Sequence, residues 1–506
     1  MSLNADNIKT LKAYLLAGFA GAIAPLSLSP VDFWPLALVS VFLLLLLLEN
    51  TGSRQAAWLG WCYGLGFFGL GASWVYVSIN VYGNASGMFA AFLTLIFVAG
   101  LALLFTLQCW LYQRYFAGIY RAFGFAACWV LFEWLRSWLL TGFPWLYLGY
   151  AHNDTWLAGL APVLGVMGIS FAVVLISGLL FDLYQFRIHQ KTIKVRHFAL
   201  TLLLFTLLGV GPLSLHNIDW VSRIPNRDAE VALVQANIDQ DLKFDPAYIS
   251  EGLNLYMGLS DPLWDADIVI WPETAIPLIY QRAEAELAYF DQLARESSSS
   301  LVSGILYRED RRIFNSITAL GNGEGVYHKQ KLVPFGEYVP LSGLMDPLLQ
   351  IFNLPMSSLS AGPANQPLLQ ASGYQLAAYI CYEVVYPDFV RKQAYQADFL
   401  VTISNDTWFG ASFGPLQHLQ MAAMRALENG RYMVRATSNG VTAFINEKGQ
   451  IISQTEQFEI ATLSSIVPAF SGRTPFSYWG SLPIVLFSLF VLGLISFIKF
   501  RKRKPF

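Results

Sequence analysis

Three side chains of different chemistry close three short apolar runs, in a fixed order along the chain. The run ending Ile270-Trp271-Pro272-Glu273 delivers a carboxylate, Gly325-Val-Tyr-His-Lys329 an ammonium, and Tyr379-Ile380-Cys381 a thiol. A free thiol is mostly protonated at neutral pH and attacks only as the thiolate. A buried carboxylate can take that proton, and a neighbouring ammonium can favour the thiolate and then hold the oxyanion of a tetrahedral intermediate. Glu273, Lys329 and Cys381 therefore read as base, electrophile and nucleophile. Singly, each has an ordinary structural reading: an exposed turn after proline, a solvated lysine at a strand end, a cysteine in a core. Their combination carries the chemistry.

Such residues need strands to present them. Apolar runs at 230–238, 267–271, 301–307, 314–320, 325–330, 375–381, 399–404, 433–438, 441–446 and 460–467 predict strands, several covered on both faces. Helical patterning falls at 246–258, 283–296, 388–395 and 415–429. Strands interleaved with helices make residues 220–470 an α/β layered domain. Residues 340–367 form a long connection broken by prolines and rich in Leu, Met, Ile and Phe, with Asp346 its one charge. It suits either a lid over a lipid substrate or a segment packed on the domain's own surface.

The rest of the chain is of another kind. Of 506 residues, 55% are hydrophobic and only 13% charged, which places the protein in a membrane. Apolar runs at 11–29, 33–49, 56–77, 88–112, 123–140, 160–184, 197–215 and 479–499 predict eight spans, each near the ~20 residues that cross the hydrocarbon core. The first could pass for a signal peptide but is followed at once by a second span, so it reads as retained. Lys9, Lys12, Arg54, Arg114, Arg121, Arg187, Lys191, Lys194, Arg196 and the basic run 499–504 flank alternate loops, whereas 78–87 and 141–156 contain no Lys or Arg. Both termini are then cytoplasmic and the domain lies outside. Within the fifth span Glu133 and Arg136 stand three apart, a spacing that lets them neutralise each other. The net charge of −2 offers nothing to a nucleic acid. Cys62, Cys109 and Cys128 lie in apolar runs, and no Cys/His spacing marks a metal site.

The order Trp271-Pro272-Glu273, then Tyr327-x-Lys329-x-x-Leu-Val-Pro-Phe-Gly-Glu337, then Ile380-Cys381-Tyr382-Glu383 resembles the nitrilase superfamily. With the spans included, the whole chain is similar to its membrane branch, the apolipoprotein N-acyltransferase family. The resemblance implies a helical membrane bundle of eight transmembrane helices (1–219, closed by 471–506) carrying a periplasmic αββα sandwich (220–470) on a bacterial inner membrane. It implies that Glu273, Lys329 and Cys381 are the catalytic triad, and that Glu337, Tyr382, Glu383, Phe244 and Trp408 support it or touch substrate. Phe244 stands where the family has tryptophan, and Lys331, on the same strand face as Lys329, becomes a solvated neighbour. The implied reaction is ping-pong: an acyl chain passes from a phospholipid to Cys381 as a thioester, then to the N-terminal amine of a diacylated apolipoprotein. No cofactor or metal is required, no interface argues for an oligomer, and a monomer is expected. The alternative is a membrane-tethered carbon-nitrogen hydrolase with the same triad and water as acceptor; a transporter with an outer binding domain would need unpaired charges or broken helices in the spans.

Overall fold

The structure, a computed structural model, describes residues 5–118, 120–188, 195–338 and 359–503. The chain divides into two compact units: Met1–Ile218 with Ala411–Gln420 and Trp479–Phe506, and Asp219–Gly410 with Met421–Tyr478.

The first unit is helical. Each of the eight apolar runs coincides with a helix: Ala5–Ile23, Pro35–Leu48, Ser53–Gly71, Gly87–Leu111, Arg121–Arg136, Ala161–Ile188, Val195–His216 and Leu482–Arg503. Among the described residues, five helical stretches are long and apolar enough to cross a membrane, and a sixth joins them if Ser53–Gly71 is counted with Trp74–Tyr82, to which it is bent by 57°, which is short of the eight expected. Pro35–Leu48 has 14 residues, about 21 Å of helix against a hydrocarbon core of about 30 Å. Hydropathy runs through such breaks because it registers composition and not backbone angle. The run at 123–140 ends early for the same reason: the helix stops at Arg136, and Leu140 and Thr141 adopt left-handed φ of 52° and 76°.

Glu133 and Arg136 do not form the direct ion pair that their spacing suggested. Glu133 Oε1 instead accepts from Trp129 Nε1 at 3.0 Å and from the Leu148 amide at 3.1 Å. The Arg136 guanidinium lies 5.2 Å from the ring centroids of both Phe68 and Tyr147. The Leu148 amide and Tyr147 ring of the loop after the helix, with Trp129 of the same helix and Phe68 of Ser53–Gly71, thus take the place of the i, i+3 partner.

The second unit contains strands β1 (Val221–Gln235), β2 (Ile268–Ile270), β3 (Ile276–Ile279), β4 (Ser300–Glu309), β5 (Arg312–Gly321), β6 (Gly323–Glu324), β7 (Val326–His328), β8 (Leu369–Ala371), β9 (Tyr374–Ile380), β10 (Phe399–Ser404), β11 (Met433–Thr437), β12 (Ala443–Ile445), β13 (Ile451–Gln454) and β14 (Ala461–Gly472). One sheet runs β14-β1-β2-β4-β5-β7, with β3 paired to β4; the other runs β13-β12-β11-β10-β9-β8-β6. The strands β1, β2 and β4 are mutually parallel neighbours, as are β9, β10 and β11, so their carboxyl ends gather along one edge of each sheet.

Alternation along the strands builds the layers. Leu233, Ile270, Val302 and Ile317 of one sheet share a buried cluster with Leu376, Ile380, Val401 and Val434 of the other. The opposite residues of the first sheet, Val234, Val269 and Leu301, pack under Leu253, Tyr256, Leu287 and Phe290 of helices Ile249–Ser260 and Glu284–Glu296. Beyond the second sheet, Tyr379 donates to the Val390 carbonyl of helix Pro387–Ala394 at 2.7 Å. Helix, sheet, sheet and helix follow in order, each strand burying alternate side chains on both faces.

Candidate active site

Glu273, Lys329 and Cys381 all lie just beyond strand ends. Glu273 lies in the turn after β2, Lys329 follows β7, and Cys381 follows β9. Cys381 adopts φ of 51°, a left-handed conformation that costs a non-glycine residue about 1–3 kcal/mol and recurs where a side chain must be thrust out of a sheet. The Glu273 turn is equally constrained. A Cβ on Gly304 of β4 would lie 2.3 Å from the Thr274 nitrogen and 2.6 Å from the Pro272 oxygen, so only glycine lets β4 pass under the turn.

All three side chains are buried. Glu273 Oε1 accepts from Asn315 Nδ2 at 2.7 Å and from Lys329 Nζ at 3.4 Å, and Oε2 accepts from the Asn405 amide at 2.7 Å. Lys329 Nζ is also 2.9 Å from Glu337 Oε1, which shares the Asn315 amide at 3.1 Å. Glu337 is fixed in turn by the Val333 amide at 2.8 Å. Burial alone would lower the lysine's affinity for its proton, but Glu337 and Glu273 together outweigh it and hold Lys329 above its ordinary range, as an ammonium. The Cys381 thiol is pushed well above its ordinary range, first by burial and next by the Glu273 charge, with Lys329 pulling the other way. At rest the site therefore holds a neutral thiol beside a carboxylate and an ammonium. It can move one proton from sulfur to oxygen when an electrophilic carbonyl arrives.

Residues 20–179 match the family described as apolipoprotein N-acyltransferase N-terminal domain, and residues 230–469 the carbon-nitrogen hydrolase family. An apolipoprotein N-acyltransferase of Pseudomonas putida is 48% identical over 95% of this chain and 95% of its own. Those of Pseudomonas aeruginosa and Photobacterium profundum are 47% and 41% identical, over 93% and 98% of this chain and 93% and 96% of theirs. The chain belongs to the apolipoprotein N-acyltransferase family. Among solved structures, a CN-hydrolase superfamily protein from Xanthomonas campestris is similar at 18% identity and a TM-score of 0.37, over 51% of this chain and 96% of that one.

In this member of the apolipoprotein N-acyltransferase family the other expected residues fall as follows. Glu337 touches Lys329 directly. Glu383, fully buried in the turn Cys381–Val385, meets no arginine among the described residues. It accepts from Tyr327 Oη at 3.0 Å and from the amides of Gln330, Lys331 and Ile380 at 2.6, 3.1 and 2.8 Å. It thereby ties the strand end that carries Lys329 to the turn that carries Cys381. Burial lifts its carboxyl to about 7 against the pull of those amides. The Tyr382 ring stands edge-on to Tyr386 with centroids 5.3 Å apart. Trp408 lies half-buried in the turn Asp406–Phe409, and Phe244 half-buried after the turn Gln240–Lys243. Lys331 is exposed, with Nζ 5.3 Å from the centroid of Tyr386.

Of the apolar connection 340–367, residues 340–358 lie outside the described residues. Its return is bolted to the site: the Leu359 amide donates to the Glu337 carbonyl at 3.0 Å and the Gly362 amide to the Lys329 carbonyl at 2.8 Å. Two contributors escaped the sequence reading: Asn315, and Lys243, whose Nζ donates to the Glu273 carbonyl at 2.7 Å. Asn315 announces itself as a polar residue inside the apolar run of β5, and Lys243 as the neighbour of Phe244.

Proposed function

We propose that the protein transfers a fatty acyl chain from a phospholipid to the N-terminal amine of a diacylglyceryl-modified apolipoprotein, through a thioester on Cys381. The sulfur gives its proton to Glu273 as it bonds to the ester carbonyl carbon, and Lys329 with backbone amides holds the oxyanion. Collapse breaks the ester bond; Glu273 returns the proton to the departing alkoxide, and lysophospholipid leaves. The acceptor amine then attacks the thioester, Glu273 takes its proton, and the thiolate departs and is reprotonated. Membership of the acyltransferase family, with a buried Glu273-Lys329-Glu337 cluster against the left-handed Cys381, is the observation that carries this reading.

The membrane arrangement completes it. Eight spans are formed by 1–219 and 471–506, with 220–470 as the catalytic domain on the periplasmic face of a bacterial inner membrane and both termini cytoplasmic; the working unit is a monomer. The distribution of Lys and Arg over alternate loops supports this orientation. A hydrolase using the same triad, with water in place of the amine, draws on the match of 230–469 to the carbon-nitrogen hydrolase family.

The test is direct. Purified protein given a labelled phospholipid should carry a hydroxylamine-sensitive adduct on Cys381, discharged by a diacylated lipopeptide; Cys381→Ser and Lys329→Ala should form none, and Lys331→Ala should form it normally. Transfer by the serine variant, or equal loss in both lysine variants, would sink the assignment, and release of free fatty acid without peptide acylation would favour the hydrolase.

A further inference from the structure

The strand that delivers Lys329 stands at the edge of its sheet. β7 ends the first sheet, with β5 as its neighbour. Edge strands present backbone N–H and C=O groups that have no further ladder to join. The chain returning along this edge reads Ser360-Ala-Gly-Pro-Ala-Asn-Gln-Pro367, and its prolines at 363 and 367 have no N–H to give to a ladder. A side chain takes the place of the missing strand. Gln366, itself buried, accepts at Oε1 from the His328 amide at 2.8 Å and donates from Nε2 to the His328 carbonyl at 2.7 Å. One primary amide thus imitates the donor and the acceptor of a facing strand. The Gly362 amide donates to the Lys329 carbonyl at 2.8 Å, an approach so close that a Cβ at 362 would stand 2.5 Å from the His328 oxygen. Gln366 is also held from the side of the nucleophile. Its carbonyl accepts at 2.7 Å from Gln393 Nε2 of helix Pro387–Ala394, which follows the turn Cys381–Val385.

We propose that Gln366 is a positioning residue for Lys329: by clamping the backbone on both sides of His328 it fixes the strand end from which the lysine reaches the oxyanion. The inference rests on the triad reading above. Lys329 Nζ is shared by Glu337 and Glu273 and must also meet the oxygen that turns negative when Cys381 bonds to the acyl carbon. An ammonium with that many partners leaves its four-carbon stem little slack, so its reach is set by where its backbone stands. A strand end that drifts can keep the ion pairs and still miss the oxyanion, and a misplacement of about 1 Å can cost as much as about 10²-fold in rate. Gln366 makes no bond to the substrate and gains or loses no proton. Its influence is felt where the oxyanion forms, so its loss should lower the rate at saturating lipid and leave the half-saturating lipid concentration in place.

The experiment compares two reactions of Cys381 in the purified full-length protein in detergent. One is single-turnover acylation by labelled phospholipid over a range of concentrations, read as the hydroxylamine-sensitive adduct. The other is alkylation by iodoacetamide, which substitutes at a saturated carbon and forms no oxyanion. Gln366→Met, close in length and unable to bond His328, should acylate about tenfold more slowly at saturating lipid, with half-saturation unchanged and alkylation within about threefold of wild type. Acylation at the wild-type rate overturns the proposal, as does a loss confined to half-saturation. Acylation and alkylation falling together, or alkylation rising as the thiol loosens, would mark a role in the fold alone and overturn it too. If Gln366→Met fails to fold, Gln366→Glu, which keeps an acceptor for the His328 amide but sets an oxygen against the carbonyl, decides by the same two rates. No adduct on wild-type Cys381 would instead remove the triad reading, so the two failures are distinguishable.

Discussion

A carboxylate that serves a thiol must be aimed without being neutralised. Glu273 meets both conditions: the Asn405 amide fixes one oxygen, Asn315 and Lys329 share the other, and its lysine partner is divided with Glu337. The sulfur is left to burial, which outweighs Lys329 and keeps the thiol protonated. Because its affinity for the proton is raised, the thiolate fraction climbs with pH and does not saturate in the ordinary cysteine range. Alkylation of Cys381 by iodoacetamide should accordingly rise by about tenfold per pH unit through pH 8.5. Lys329→Met, which removes a cation that lowers the thiol, should be slower at every pH. A plateau below pH 8.5 in the wild type would contradict the burial argument. The proposed triad could be picked out because each member closes an apolar run, a pattern that sequence displays. Asn315 and Lys243 were not, since their importance lies in hydrogen bonds to residues 42 and 30 positions away, and no local pattern encodes those distances.

Strand ends are where the elements meet the chemistry, and Glu383 is the joint between two of them. Its two oxygens serve the Gln330, Lys331 and Ile380 amides and the Tyr327 hydroxyl, so the stretches that carry Lys329 and Cys381 are placed by one carboxyl group. Glu383→Gln keeps a single acceptor oxygen and turns a donor toward the remaining amides. Leaving a buried donor unsatisfied costs about 1–3 kcal/mol, so thermal unfolding in detergent should begin several degrees lower and acylation should weaken with it. An unchanged midpoint would mean that the joint is dispensable. The strands that coincide with apolar runs were readable from their composition. The short strands β3, β6, β8 and β13, of 4, 2, 3 and 4 residues, are too brief for a period of two to declare itself, and they exist because neighbouring strands offer unpaired edges.

At the scale of the molecule, composition separated a helical part from an α/β part correctly, because apolar density survives without any knowledge of contacts. It overstated the uniformity of the helices, since the bend after Gly71 and the stop at Arg136 are backbone events within apolar sequence. The proposed orientation can be tested on intact cells with a maleimide that does not cross membranes. Ser86→Cys, at an exposed position between two helices, should label from outside, whereas Ser53→Cys should label only after permeabilisation, each relative to the unsubstituted chain. The reverse pattern would invert the topology. The state of the thiol has a last consequence. Of the four cysteines, Cys381 alone lies in the strand-built unit, buried and neutral. Peroxide and disulfide exchange act through thiolates, so the burial that makes the resting sulfur a sluggish nucleophile also makes it slow to oxidise. In the periplasmic placement proposed above, that reluctance would preserve the sulfur.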